Sequence, residues 1–127
     1  MKREIKTEKA PSPVGPYSQA VEVGNFLFLS GQVGIDPKSN KLVEGFKNQV
    51  RQIFENVDAI LKEAGYSRES IVKVVIYLTD MSKFKELNEI YEEFFKEVKV
   101  KPARVTVGVK ELPLGAEVEI EVVAHKG

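Results

Sequence analysis

An α+β domain, a mixed β-sheet with two helices on one of its faces, is predicted from three observations. Phe46–Ala64 and Phe84–Val98 each carry their apolar residues at helical spacing along one stripe. Around them lie short segments rich in β-branched and aromatic residues, the composition of strands. Helices with a single apolar stripe need one apolar surface to rest on, and a sheet supplies it. At 127 residues the chain reads as one domain, 1–127, long enough to bury roughly two thirds of the surface exposed when unfolded.

In chain order, Arg3–Thr7 is a short first strand with Ile5 as its only large apolar residue, suited to an edge. Residues 10–18, APSPVGPYS, hold three prolines and a glycine, which exclude helix and central strand and leave a stiff loop holding Tyr17 and Ser18. Gln19–Val23, Gly24-Asn25 and Phe26–Ser30 form a β-hairpin, because Gly and Asn tolerate the positive φ of a two-residue primed turn. Ser30-Gly31 closes its second strand, and Lys38–Lys41 marks another tight turn. The first helix presents Phe46, Val50, Ile53, Phe54, Val57, Ile60, Leu61 and Ala64, and stops at Gly65. Ser67 caps a short turn before Val72–Leu78, VKVVIYL, which reads as a buried strand. Asp80 or Ser82 caps the second helix, whose core face is Phe84, Leu87, Tyr91, Phe94, Phe95 and Val98. Asn88 lies one position beyond Leu87, close enough to that face to matter.

Two strands joined by a loop complete the chain, and they read as neighbours. Alternation along Ala103–Val109 separates Val105, Val107 and Val109, the expected core face, from Arg104, Thr106 and Gly108. Along Glu117–Val122 it separates Val118, Ile120 and Val122 from Glu117, Glu119 and Glu121. Arg104 and the glutamates are therefore expected on one polar face. Phe26–Leu29 is apolar on both faces, more than one helical layer satisfies, and burial against another subunit would resolve it. An obligate oligomer using the helix-free sheet face is the expectation.

Composition narrows the chemistry. Hydrophobic residues at 43% and charged residues at 30% describe a globular chain rather than a disordered one. Lys plus Arg and Asp plus Glu number 19 each, so no net positive field recruits nucleic acid. Without cysteine there is no disulfide, thiolate metal site or thiol nucleophile, and the single His125 is too few for most metal sites or a His-based triad. No apolar run spans a bilayer and MKREIKTEK has no signal-like core, so a cytoplasmic protein without membrane partners is expected.

A lone arginine on a strand is more often a surface or interface ion pair than a ligand clamp. Arg104 differs in its company: it follows Pro102-Ala103, Thr106 faces the same way and Glu119 and Glu121 are expected on the neighbouring strand, and a guanidinium fork matches a carboxylate ligand. The three glutamates equally describe a solvated strand face, and their spacing alone does not choose among them. Tyr17, Ser30 and Asn88 have ordinary structural readings as well.

APSPVGPYSQA near the N-terminus, SGQ at Ser30–Gln32 and PARVTVGVKELPLGAEVEIE near the C-terminus together resemble the RidA (YjgF) family of reactive intermediate enamine/imine deaminases, over essentially the whole chain. The resemblance implies a chorismate-mutase-like subunit of the bacillus type and a homotrimer with a central β-barrel, helices outside and pockets between subunits. It implies hydrolysis of small 2-enamino or 2-imino acids such as 2-aminoacrylate to 2-oxo acids and ammonia, without cofactor or metal. Carried over by position, Arg104 binds the substrate carboxylate and Glu119 handles the catalytic water. Tyr17, Ser30, Gly31, Asn88 and Thr106 line the pocket, Gly31 through its backbone, and Glu121 falls outside the site. Thr106 stands where many members have cysteine. Rival readings are a non-catalytic small-carboxylate-binding trimer, an RNA-cleaving protein and a chaperone-like one.

Overall fold

A computed structural model of the chain describes residues 1–127. Eight strands and two helices follow in order: β1 (Lys2–Ile5), β2 (Ala20–Val23), β3 (Phe26–Leu29), β4 (Ile35–Asp36), β5 (Lys41–Leu42), α1 (Phe46–Ala64), β6 (Ile71–Leu78), α2 (Phe84–Phe94), β7 (Ala103–Gly108) and β8 (Val118–His125). Six strands make one mixed sheet in the order β1-β2-β3-β8-β6-β7, and β4-β5 is a separate two-stranded ribbon. Both helices lie on one face, sharing a single core with Leu27, Leu29, Val74, Ile76, Leu78, Val118, Ile120 and Val122. No helix is long and apolar enough to cross a membrane.

The helix boundaries follow from local chemistry. Gly65 takes φ 82, and Gly65 N–H and Tyr66 N–H close the last turn of α1 onto Lys62 O and Leu61 O. The Asp80 carboxylate accepts from Ser82 N–H at 2.9 Å and starts the 3₁₀ turn that leads into α2. In the β2-β3 turn Gly24 alone has positive φ, 58, so the expectation that Asn25 shares it is corrected. Stripe reading missed two buried amides of α1. Gln49 Oε1 accepts from Glu117 N–H and Asn56 Nδ2 donates to Ile35 O, both at 2.9 Å.

The largest correction concerns the C-terminal strands. They are not paired with each other: β7 runs parallel to β6 at the sheet edge, and β8 lies between β3 and β6. A parallel neighbour requires a crossover, which the β6-α2-β7 unit provides. Arg104 registers with Val74, and Val74 is fully buried beneath the helices, so Arg104, Thr106 and Gly108 point to the helix side. Val105 and Val107, expected in the core, are 44% and 38% exposed on the helix-free face, and Val109 lies just past the strand. Alternation separates the two faces of a strand but does not say which one meets the core. Two further corrections concern burial. Phe84 is exposed, and β6 is buried on its helix side only, with Val72 bulged outward.

Candidate functional site

One group of predicted residues surrounds a cavity of about 470 Å³ beside the start of β8, on the helix-free side. Its walls include Tyr17, Ser30, Gly31 and Glu119 with Pro113 and Leu114, and they also include Glu121, which was expected to fall outside the site. The proline-rich loop is fastened by Gln19, a buried residue. Its Oε1 accepts from Thr7 N–H, and its Nε2 faces the carbonyls of Thr7, Ala10 and Pro11 at 2.9, 3.2 and 2.9 Å. Tyr17 stays half exposed, its hydroxyl accepting from Val14 N–H at 3.2 Å. Ser30 is tied to the same loop, its hydroxyl donating to Ser18 O at 2.6 Å and its N–H to Gln19 O at 2.9 Å.

Gly31 owes its identity to close approach. The register passes from Phe28 opposite Val123 to Gln32 opposite Ile120, so three residues on one side face two on the other and the chain bulges. This brings Gly31 against Glu119, and a Cβ there would lie 2.3 Å from Glu119 Oε2. Gly31 N–H has no partner within the chain. The Glu119 carboxyl is held above the usual carboxylate range, first by burial and then by the charge of Glu121. Tyr77, opposite Glu119 on β6, donates its hydroxyl to Glu121 Oε1 at 2.9 Å. That bond raises the Tyr77 pKa, with burial next.

A second group lies on the other face of the sheet. Arg104 Nη1 donates to Asn88 Oδ1 at 2.8 Å, and Arg104 Cζ lies 4.7 Å from the Tyr91 ring centroid and 5.4 Å from that of Phe84. No carboxylate of the chain lies within ion-pair distance of Arg104. Thr106 Oγ1 and Tyr91 OH are buried without a hydrogen-bond partner. Burial pushes the Tyr91 hydroxyl up, against the opposing influence of Arg104. Val109 N–H donates to Leu78 O, so by the two-residue period the N–H groups of Arg104, Thr106 and Gly108 point to the open edge of β7.

The seven predicted residues are thus divided. Tyr17, Ser30, Gly31 and Glu119 share one cavity, Arg104 and Thr106 lie with Asn88 on the other face, and β6 separates the two strands that carry Arg104 and Glu119. Sequence reasoning passed over Gln19, Tyr77, Phe84 and Tyr91. A glutamine beside a proline-rich loop is a usable signal. Residues 84, 88 and 91, at i, i+4 and i+7, carry another, since that spacing puts two rings and an amide on one helical stripe.

Fold and side-chain placement together define a small α+β protein with an arginine free of carboxylate partners on one sheet face and a half-buried glutamate on the other. A family model described as Endoribonuclease L-PSP matches residues 7–126. The chain is 77% identical over 124 residues to a RutC family protein of Aquifex aeolicus, covering 98% of this chain and 99% of that one. It is 43% identical over 128 residues to the 2-iminobutanoate/2-iminopropanoate deaminase of Homo sapiens, covering 100% of this chain and 92% of that protein. The crystal structure of E. coli TdcF with bound serine superposes with a TM-score of 0.94 at 36% identity, covering 98% of this chain and 99% of that one. The chain belongs to the RidA/YjgF/RutC family.

Proposed function

We propose that the protein hydrolyses short 2-enamino and 2-imino acids to 2-oxo acids and ammonia, in pockets formed between the subunits of a homotrimer. The observation that carries this reading is the split of Arg104 from Glu119: a guanidinium with free donors on one face, and an unpaired carboxylate with raised proton affinity on the other. Each is half of a site for a small acid, and only a second copy of the chain can bring the halves together. The helix-free face supports such packing, since Val23, Phe26, Phe28, Val105 and Val107 leave exposed apolar surface there. Three such faces turned inward would form a central barrel, with α1 and α2 outside.

In this reading Arg104 of one subunit forks onto the substrate carboxylate, and Thr106 and the edge N–H groups of β7 complete the cradle. Glu119 of the next subunit removes a proton from water as its oxygen attacks the electrophilic C=N carbon. The new C–O bond leaves a tetrahedral aminol. A proton then passes to the nitrogen, the C–N bond breaks, ammonia leaves and the carbonyl of the 2-oxo acid forms. Tyr17, Ser30 and the free Gly31 N–H line the space around the reacting carbon. The name of the human relative, a 2-iminobutanoate/2-iminopropanoate deaminase, supports the reaction class.

A second reading, a trimer that binds small carboxylic acids without turning them over, draws on the serine bound to the E. coli relative. RNA cleavage, the activity in the description of the family model, is disfavoured by balanced charge and a single histidine. The deciding experiment couples the protein to a dehydratase that generates 2-aminoacrylate. Faster pyruvate release by wild type, abolished in Arg104→Ala, is expected. Saturable 2-oxo acid binding with no acceleration would select the binding reading.

A further inference from the structure

Resting on that reading, we infer that Phe84 and Tyr91 are positioning residues for the substrate arginine, forming with Asn88 an aromatic cradle that fixes the plane of the Arg104 guanidinium. Both rings read as core from the sequence, but the fold gives them another task. Phe84, Asn88 and Tyr91 fall on one stripe of α2, spaced i, i+4 and i+7, and Arg104 projects from β7 onto that stripe. The amide grips Nη1 at 2.8 Å, while Cζ lies over the Tyr91 ring at 4.7 Å and the Phe84 ring at 5.4 Å.

The chemistry explains why rings are used here. A carboxylate partner within the chain would hold the arginine equally well, but it would occupy the fork and cancel the charge meant for substrate. An aromatic face attracts the cation through its quadrupole and leaves the N–H donors free. One amide oxygen occupies Nη1 and fixes rotation of the plane. The remaining donors are then presented in one orientation, which a two-point grip on a carboxylate requires. Tyr91 contributes through its ring, since its hydroxyl has no partner in the chain. Its other contacts, ring centroids at 4.6 Å to Phe95 and 6.3 Å to Phe54, anchor it in the core, so the cradle is tied to the rigid part of the fold.

The test uses the full-length protein and two readouts. The first is the Arg104 side-chain Nε–Hε resonance of the ligand-free protein, which reports how the guanidinium is held whether or not the protein is an enzyme. A shifted, slowly exchanging signal is expected in wild type and Tyr91→Phe, and one moved toward free arginine with faster exchange in Phe84→Leu and Tyr91→Leu. Phe84 is exposed, so its substitution leaves the core intact and decides the matter if Tyr91→Leu fails to fold. The second readout is binding of unreactive 2-oxobutanoate by calorimetry. About three- to tenfold weaker binding in Phe84→Leu, matched in KM with kcat nearly unchanged, is expected, and Tyr91→Phe should bind as wild type does. Wild-type resonance and affinity in Phe84→Leu would overturn the cradle, even where Arg104→Ala abolishes binding and the deaminase reading stands. If wild type binds no 2-oxo acid, that reading fails, and the arginine resonance still decides whether the rings hold Arg104.

Discussion

Arg104 and Glu119 lie on opposite faces of one sheet, on strands separated by β6. Arg104 meets Asn88 of α2 on the helix side, and Glu119 meets Gly31 on the helix-free side. Side chains on opposite faces of a closed-packed sheet do not reach one small substrate together. A reaction that used both residues would therefore draw them from two chains.

Replacing Arg104 tests the carboxylate anchor. Two charge-assisted hydrogen bonds, each worth about 1.5–3 kcal/mol, imply that Arg104→Ala lowers kcat/KM by about two orders of magnitude or more. Arg104→Lys should fail as well, because an ammonium keeps the charge and loses the planar fork. Steady-state kinetics on assembled variants check this, and near-wild-type turnover in either one removes Arg104 from the site.

Gly31→Ala tests the close approach. Its Cβ would lie 2.3 Å from Glu119 Oε2, and the flexible carboxylate can swing away, so the fold should survive while Glu119 leaves its position. The expected result is a loss of about ten- to hundredfold in kcat with little change in thermal stability. Unchanged turnover would mean that the resting place of Glu119 is irrelevant to the reaction.

The pH dependence has a definite sign. As the base of the proposed hydrolysis Glu119 would act only when ionised, and burial and Glu121 hold its pKa above the 4.5 of an ordinary glutamate. Activity should therefore fall on the acid side at a higher pH than a free glutamate would impose. Glu121→Gln removes the like charge and should move that limb to lower pH, whereas Glu119→Gln should abolish activity across the whole range. For stability, the folded pKa exceeds the unfolded one, so the native state binds the proton more readily and loses stability as pH rises through the folded pKa. Glu119→Gln should consequently be at least as stable as wild type at neutral pH, as measured by urea denaturation.

Much of the fold was legible because it rests on local rules. The apolar stripe of α1 and Gly65 mark that helix to the residue, and each strand of the six-stranded sheet was foreseen within a few positions. Strand order was not legible. Val105 and Val107 alternate with Arg104 and Thr106, but period two does not say which set meets the helices. At this edge strand the apolar set faces the exposed, helix-free side rather than the core. Residue type identified Arg104 and the family motif chose Glu119, yet their placement on opposite faces needed the parallel crossover. The close approach of Gly31 to Glu119 and the contacts of Phe84 and Tyr91 with Arg104 were hidden for a related reason: each joins residues more than ten positions apart.

Mixing two inactive variants tests the shared site most directly. Arg104→Ala chains keep Glu119 and Glu119→Gln chains keep Arg104, so co-refolding or co-expressing them joins an intact Arg104 to an intact Glu119 across some interfaces. In randomly mixed trimers at equal ratio, each mixed trimer holds one complete pocket, which restores about a quarter of wild-type deaminase activity. A mixture as inactive as its two components, with mixed assemblies verified by mass spectrometry, would contradict a pocket built from two chains.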